Sequence, residues 1–415
     1  MTTRIVQQTD VAVIGGGPAG STTAALVAQQ GHRVTLFERE AFPRFHIGES
    51  LMPETYWVFQ RLGVLDRLKT SHFVRKHSVQ FISDSGRASQ PFYFDDHRPH
   101  ESSVTWQVLR SEFDKLLLDN ARQCGADVHV GTRVRDVLWD GDRACGVCVQ
   151  DQSGQSHDVR ARVVVDASGQ SSLIAARKGL RQKDPVLRKG SVWTYYRGAQ
   201  RDPGRDEGAT LILHTEGKRG WFWYIPLPDD LVSVGIVASF DELFAGRGDH
   251  EAIFAEQVDR CPVVKERLLP GTRVTGFYAT KDFSYRSTQV AGHGWVLVGD
   301  AFGFLDPVYS SGVFLALKSG ELAADAITAG LAQDDLSAAQ LGGWGPEFLR
   351  GMDRMRELVY AFYEGFGFGA FLKRYPYYRG AITDMLIGDL FKDDVDPVLA
   401  DMRAMRTEMA AADAS

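Results

Sequence analysis

The chain has 415 residues, a formal net charge of −6, and a composition that is 44% hydrophobic and 24% charged. That length allows a large core and two or three domains, and the mild negative charge argues against a general nucleic-acid surface. No apolar run approaches the roughly 20 residues of a membrane helix, and the N-terminus, MTTRIVQQTD, lacks an apolar signal core, so a cytoplasmic protein is expected.

The first predicted element is a buried parallel strand, Val11-Ala12-Val13-Ile14. Gly15, Gly17 and Gly20 follow it as G-x-G-x-x-G, a helix is predicted over 21–30, Gly31 stops it, and a second strand over 34–37 ends at Glu38. In this context the first glycine permits the turn, the second lets the backbone approach a pyrophosphate, and the third lets helix lie on strand. The free N–H groups of the helix start hold phosphates. An acid some 20 residues on accepts from the ribose hydroxyls. The stretch therefore predicts a dinucleotide site for FAD or NAD.

The next segment holds a Phe-Pro-Arg loop and then His46-Ile47-Gly48-Glu49-Ser50, expected to lie against the cofactor and to lead into a helix with Pro53 in its first turn. Lys76 falls in a predicted strand between Val74 and Val79, where local sequence alone reads as a solvated lysine. A further strand is expected over 101–106. The segment VLRSEFDKLLLDNARQCGADV then gives a helix with Arg110 at its start, available to a phosphate or ribose, and Gly125 at its stop. Residues 133–165 alternate and turn twice, a β-meander that ends in ARVVVDASG with Asp166. Cys145 and Cys148 form C-x-x-C by count, but on a strand their thiols face opposite sides, so they are read as reduced core residues. No metal site is expected.

Residues 187–276 read as strands and turns with a helix near 249–268, an antiparallel domain inserted into the first. Within it Trp221, Trp223 and Ile225 share one face and Pro226 ends the run; by burial habit two such indoles are core. The chain returns with GWVLVGDA, where Asp300 at a strand end can reach a ribitol hydroxyl, and with a helix starting near Ser311. The backbone N–H groups of Ser311 and Gly312 then form an anion site. From residue 342 helices dominate, with an aromatic stripe read as core or as the wall of a pocket for a flat substrate.

Four of these elements together resemble the glutathione-reductase-like FAD enzymes related to p-hydroxybenzoate hydroxylase: the glycine turn, Arg110 in VLRSEFDKLL, Asp166 in VVVDASG, and Gly299-Asp300 in GWVLVGDA. The resemblance implies an α/β fold, with a Rossmann FAD-binding domain over 1–186 and 277–340, an inserted antiparallel β-sheet substrate domain over 187–276, and a helical C-terminal region over 341–415. It implies FAD as cofactor, with contacts from Pro18, Ala19, Arg39, Glu49, Ser50, Arg110, Val134 and Asp300 beside the three glycines and Glu38.

Three further elements are similar to flavin-dependent halogenases. Gly220-Trp221-Phe222-Trp223-Tyr224-Ile225-Pro226 matches that family's W-x-W-x-I-P signature, and residues 304–312 match its F-x-x-P-x-x-S-x-G signature. Lys76 in RKHSVQF stands where the family carries its catalytic lysine. The resemblance implies reduced FAD from a separate flavin reductase, a C4a-hydroperoxide formed with O2, and its attack by chloride or bromide to give hypohalous acid that travels to Lys76. There an ammonium would polarise the oxidant, or a neutral amine would form a chloramine. Halide would sit on Ser311 and Gly312, while Trp221, Trp223, Ile225, Pro226, Phe304 and Pro307 would separate flavin from substrate. Tryptophan halogenases carry a glutamate where this chain has Tyr309, so a more electron-rich phenol or pyrrole is expected, free or tethered to a carrier protein. The competing readings are an FAD-dependent aromatic monooxygenase and a flavin oxidoreductase of the geranylgeranyl reductase type; the W-x-W-x-I-P match argues against both.

Overall fold

A computed structural model describes residues 7–246, 248–281, 283–392 and 395–413. Residues 1–6, part of the stretch on which the reading of the N-terminus rests, and the end of the acidic-alanine tail lie outside the described residues. No helix among the described residues is long and apolar enough to cross a membrane.

The predicted first strand and its neighbours form one sheet. Its order is Ala291–Gly292, Trp295–Leu297, Ser156–Asp166, Gln7–Ile14, Val34–Glu38, Asp127–Val130. All of these pairings but the first are parallel. Both faces are covered, one by the Pro18–Gln29, Arg110–Gln123 and Ser311–Gln333 helices and the other by the meander and the core it shares, which is why these strands read as unbroken apolar runs: Val11, Val13, Val163, Val164 and Val165 are wholly buried. The meander is present as Arg133–Asp140, Arg143–Gln150 and Ser156–Asp166, and the last of these turns into the parallel strand beside Gln7–Ile14. The Pro18–Gln29 helix lies against the first strand because Gly20 has no side chain. A Cβ there would meet the Gly15 carbonyl oxygen at 2.0 Å. The Ser311–Gln333 helix crosses it equally closely, with Gly320 against the Ala19 carbonyl and Thr23 Oγ1 donating to Gly320 O at 3.1 Å.

The second sheet runs Thr272–Arg273, Lys189–Arg197, Leu231–Ser239, Gly220–Pro226, Thr210–His214, Ser78–Ile82, Phe92–Tyr93, with Tyr278–Lys281 paired to Lys189–Arg197. It is antiparallel except where Thr210–His214 meets Ser78–Ile82 in parallel. Sequence reasoning expected this sheet within 187–276; it also takes in strands at 78–93 and 278–281, because pairing partners distant in the chain carry no local pattern. Its two faces divide the signature strand: Trp221, Trp223 and Ile225 join the core shared with the C-terminal helices, while Phe222 and Tyr224 join a separate core beneath the His250–Asp259 and Pro262–Leu268 helices.

Three local expectations are corrected. Pro53 sits ahead of its helix, which starts later as Thr55–Leu62; the carbonyl of Pro53 accepts from Tyr56 N instead. The segment expected as strand over 101–106 begins as a 3-10 turn, Glu101–Ser103, before the short strand Thr105–Gln107. All four cysteines are free, but Cys145 and Cys148 are half-buried rather than core, with Arg160 donating to Cys145 Sγ at 3.0 Å. The aromatic stripe of the Gly345–Tyr363 helix is core: Phe362 packs edge-on to Trp221 at 5.9 Å between centroids.

Candidate active site

Two adjoining cavities lie where the sheets meet. The larger, about 390 Å³, opens at the carboxyl ends of the parallel strands, the place where open α/β sheets bind ligands. Gly15, Gly17, Pro18, Ala19, Glu38, Arg39, Arg110, Val134 and Asp300 all line it. Gly20 does not, since its role is the helix contact described above. Gly15 has φ +104° and a Cβ on it would lie 2.4 Å from the Ala167 carbonyl oxygen, so only glycine fits this turn. The Pro18–Gln29 helix begins at Gly17 with no side-chain cap, which leaves its first N–H groups to a ligand. Glu38 is buried, with one oxygen accepting from Gly16 N at 2.8 Å and the other from Glu40 N at 2.8 Å.

Arg44 is a cavity residue that sequence reasoning passed over. Its guanidinium lies 3.2 Å from Asp114 and 3.9 Å from Glu38, its tip faces Gly17, and its buried Nε has no hydrogen-bond partner. Arg110 shares the same Asp114 carboxylate, at 2.8 and 3.0 Å, and donates to Ile47 O at 2.6 Å. An uncapped helix start, a glycine cradle and a buried arginine with an unmet donor fit a pyrophosphate; Glu38 fits a ribose. The residues present therefore fit a bound dinucleotide such as FAD.

The smaller cavity, about 120 Å³, shares Ile47, Gly48, Asp300, Phe304 and Gly312 with the first. Its walls are mostly apolar. Trp221, Trp223 and Ile225 come from one face of Gly220–Pro226, and Phe304 and Pro307 from the returning chain; Pro226 closes the strand without reaching the cavity. The strands make room for the indoles. Gly235 stands opposite Trp223, and a Cβ there would fall 2.2 Å from the indole ring. Trp223 Nε1 donates to Ser233 Oγ at 3.1 Å. Trp221 Nε1 donates to Tyr363 Oη at 3.0 Å, and Tyr363 donates to Asp306 at 2.9 Å, so the C-terminal helix fixes this wall from behind. Burial pushes the Asp306 carboxyl up to about 7, against the hydrogen bonds from Val308 N and Tyr363, which favour the carboxylate.

Glu49 and Ser50, expected beside the cofactor, line this smaller cavity and not the larger. Gly312 lines both, at the start of the Ser311–Gln333 helix, while Ser311 is buried behind it. A Cβ on Gly312 would meet the Phe304 ring at 2.9 Å.

Lys76 is 4% exposed, so the solvated reading of its local sequence fails. Its strand, Val74–Lys76, pairs with Thr105–Gln107, and Gly208 presses so close that a Cβ would lie 2.0 Å from Arg75 O. Nζ donates to Ser50 Oγ at 2.8 Å and Leu51 O at 3.0 Å, over the Phe94 ring at 5.6 Å. Burial alone pulls its ammonium down to about 7, with no carboxylate to restore it.

The chain matches the FAD-binding domain family over residues 8–317. It is 32% identical over 420 residues to the 1H-pyrrole-2-carbonyl-[peptidyl-carrier protein] chlorinase of Pseudomonas fluorescens, covering 95% of this chain and 92% of that one. It is 34% identical over 322 residues to the corresponding brominase of Pseudoalteromonas luteoviolacea, covering 77% of each. Among solved structures, the flavin-dependent brominase Bmp2 superposes with a TM-score of 0.87 at 30% identity, covering 98% of this chain and all of the other. The myxobacterial chondrochloren halogenase CndH does so with 0.78 at 39% identity, covering 87% and 82%. The chain belongs to the flavin-dependent halogenase family.

The halogenase uses FAD and halide. Tyr309 is buried but does not line the small cavity; its hydroxyl donates to Leu358 O at 3.3 Å. The cavity does carry a carboxyl, from a segment that sequence reasoning assigned to the cofactor. Glu49 is 2% exposed, accepts a short hydrogen bond from Tyr195, and is pushed up to about 7 by burial. Asp300, shared by the two cavities, is raised to about 6 by burial against the opposing pull of Arg110.

Proposed function

We propose that this halogenase chlorinates or brominates an electron-rich aromatic ring, a phenol or a pyrrole, in the smaller cavity, with Lys76 as its catalytic lysine and reduced FAD supplied by a separate flavin reductase. The observation that carries the reading is a buried lysine, without a carboxylate partner among the described residues, behind a small tryptophan-walled cavity that only partly overlaps the cofactor cavity. A relative that acts on a carrier-bound pyrrole supports the ring class.

Bound in reduced form, FAD supplies the electrons with which O2 raises a halide ion to the level of hypohalous acid. The protein's own groups do the rest. The helix start at Ser311 and Gly312 offers N–H donors to a halide ion at the junction of the cavities. Trp221, Trp223 and Phe304 fill the space between flavin side and ring side, so that a ring cannot reach the cofactor while a small oxidant passes. Near neutral pH, Lys76 is divided between ammonium and amine, because burial has removed the penalty for losing its proton. The ammonium polarises the oxidant's oxygen; the amine can accept halogen.

The test is turnover with a generic flavin reductase, NADH, FAD and chloride or bromide, over phenols and pyrroles both free and loaded on a carrier protein, read by mass spectrometry. Halogenated product is expected, and none when dithionite-free buffer lacks the reductase. Hydroxylated product without halogen, or turnover with NADH and no reductase, contradicts the reading.

A further inference from the structure

Lys76 does not itself line the small cavity; Ser50 and Thr210 do. What stands between the lysine and the ring side is a row of hydrogen-bonded side chains. Gln107 is wholly buried, and its amide nitrogen donates to Gly208 O at 2.9 Å and to Thr210 Oγ1 at 2.8 Å. A carbonyl oxygen only accepts, so Gly208 fixes which end of the amide faces it, and both N–H bonds are used. Thr210 Oγ1 is therefore an acceptor toward Gln107, and it lies 2.9 Å from Ser50 Oγ, a bond that either hydroxyl can donate. Ser50 Oγ also accepts from Lys76 Nζ at 2.8 Å. When Thr210 donates this bond, both lone pairs of Ser50 are taken and its O–H is free, and Ser50 lies on the cavity wall.

Backbone bonds tie this row together. Leu51 N donates to Trp106 O at 3.1 Å and Val108 N to Glu49 O at 2.8 Å, so Ser50 is bridged to Gln107 of the Thr105–Gln107 strand, which also pairs with Val74–Lys76.

We propose that Ser50, not Lys76, is the group this centre presents to the oxidant, and that Lys76, Thr210 and Gln107 act through it as a directional relay. The inference rests on the reading of Lys76 given above. Its proton and electron balance closes with hypohalous acid as the oxidant. A ring carbon takes the halogen with its π pair, the O–X bond breaks with its pair on oxygen, and Ser50 gives that oxygen its proton, so water leaves. The Lys76 ammonium reprotonates Ser50. The resulting amine recovers, again through Ser50, the proton that the ring carbon loses as its C–H pair restores aromaticity. Ser50 is then a catalytic residue, and Thr210 and Gln107 are positioning residues.

The test compares Ser50→Ala, the isosteric pair Thr210→Val and Thr210→Ser, Lys76→Ala, and the double variant Lys76→Ala with Ser50→Ala, in the full chain. Folding is controlled by melting temperature and by FAD affinity from flavin fluorescence. We expect Ser50→Ala to lower kcat for halogenation by about a hundredfold, the range of a lost general acid, with KM for the ring changed less than about twofold. Thr210→Val should lose about tenfold and Thr210→Ser should restore it, which a merely structural role for the methyl group would not do. The double variant should be no slower than Lys76→Ala, as for groups that act as a unit. Full halogenation by folded Ser50→Ala beside an inactive Lys76→Ala overturns the relay and leaves the lysine reading standing. Full halogenation by Lys76→Ala overturns both. Should Ser50→Ala fail to fold, equal rates for Thr210→Val and Thr210→Ser overturn the relay on their own.

Discussion

The two cavities share a border at Asp300, Phe304 and Gly312 yet are built by opposite means. The larger is made of backbone: glycines without room for a Cβ, an uncapped helix start, and strand ends, with buried arginines and carboxylates completing it. The smaller is made of side chains from chain segments far apart, around residues 49–50, 210–225 and 304–312, where burial raises the carboxyls of Glu49 and Asp300 and, behind Ser50, depresses Lys76. A backbone site binds whatever carries the matching phosphates and tolerates little change at its glycines. A side-chain site trades generality for chemistry, because desolvation of Lys76 and Glu49 is what brings each near neutrality.

The comparison breaks hardest at Gly15. Gly15→Val should weaken FAD binding by more than about a hundredfold, roughly 3 kcal/mol, because the added Cβ starts 2.4 Å from Ala167 O. Flavin fluorescence titration checks this, and an unchanged affinity would remove the backbone account of the larger cavity.

The smaller cavity should answer to pH through Glu49, a group the larger lacks. Glu49 is raised from 4.5 to about 7 in the folded protein, so between those values the folded chain holds more protons than the unfolded one. The stability this contributes is complete below about 4.5 and is lost as pH rises through about 7, on the order of 3 kcal/mol. Glu49→Gln keeps an acceptor for Tyr195 and has no proton to lose. Its stability relative to wild type, from urea unfolding, should therefore rise across that window; parallel curves would show that Glu49 titrates normally.

Packing of the wall gives a smaller effect. Gly235→Ala places a Cβ 2.2 Å from the Trp223 indole and should cost about 1–3 kcal/mol by overpacking, while leaving FAD affinity untouched. Loss of FAD binding in that variant would mean the two cavities are not separately built. Smallest is Gly312→Ala, which pushes on the Phe304 ring at the shared border and should raise the halide concentration needed for half-maximal turnover about tenfold, about 1.4 kcal/mol. Unchanged halide dependence would move the halide site elsewhere.

The same contrast explains what could be read from sequence. The Rossmann half was legible in detail, because a glycine turn, an apolar run and a terminal acid are local and their spacing carries their geometry. Lys76 was legible only through the family likeness. Its neighbours Arg75 and His77 suggest a solvated strand, and its burial comes from Gly208 and from the Ser50 segment, neither near it in sequence. Gln107 and Thr210 gave no signal at all, since a buried amide and a strand threonine are ordinary until their partners are known. Arg44 had one available clue, a lone cation in the loop just after the ribose acid, while Glu49 and Ser50 line the smaller cavity and their glycine, Gly48, lines both.

The most direct measurement is the yield of halogenated product per FAD-bound enzyme for Lys76→Ala and Lys76→Arg, with flavin reductase and halide in excess. The account predicts that both variants bind FAD as wild type does, since Lys76 lies outside that cavity, and that Lys76→Ala makes less than about one hundredth of the product. Lys76→Arg keeps a charge but does not readily give up a proton, so product from it assigns the lysine's work to its charge and its absence to proton or halogen exchange at the amine. Wild-type halogenation by folded Lys76→Ala would contradict the claim that this buried lysine runs the chemistry.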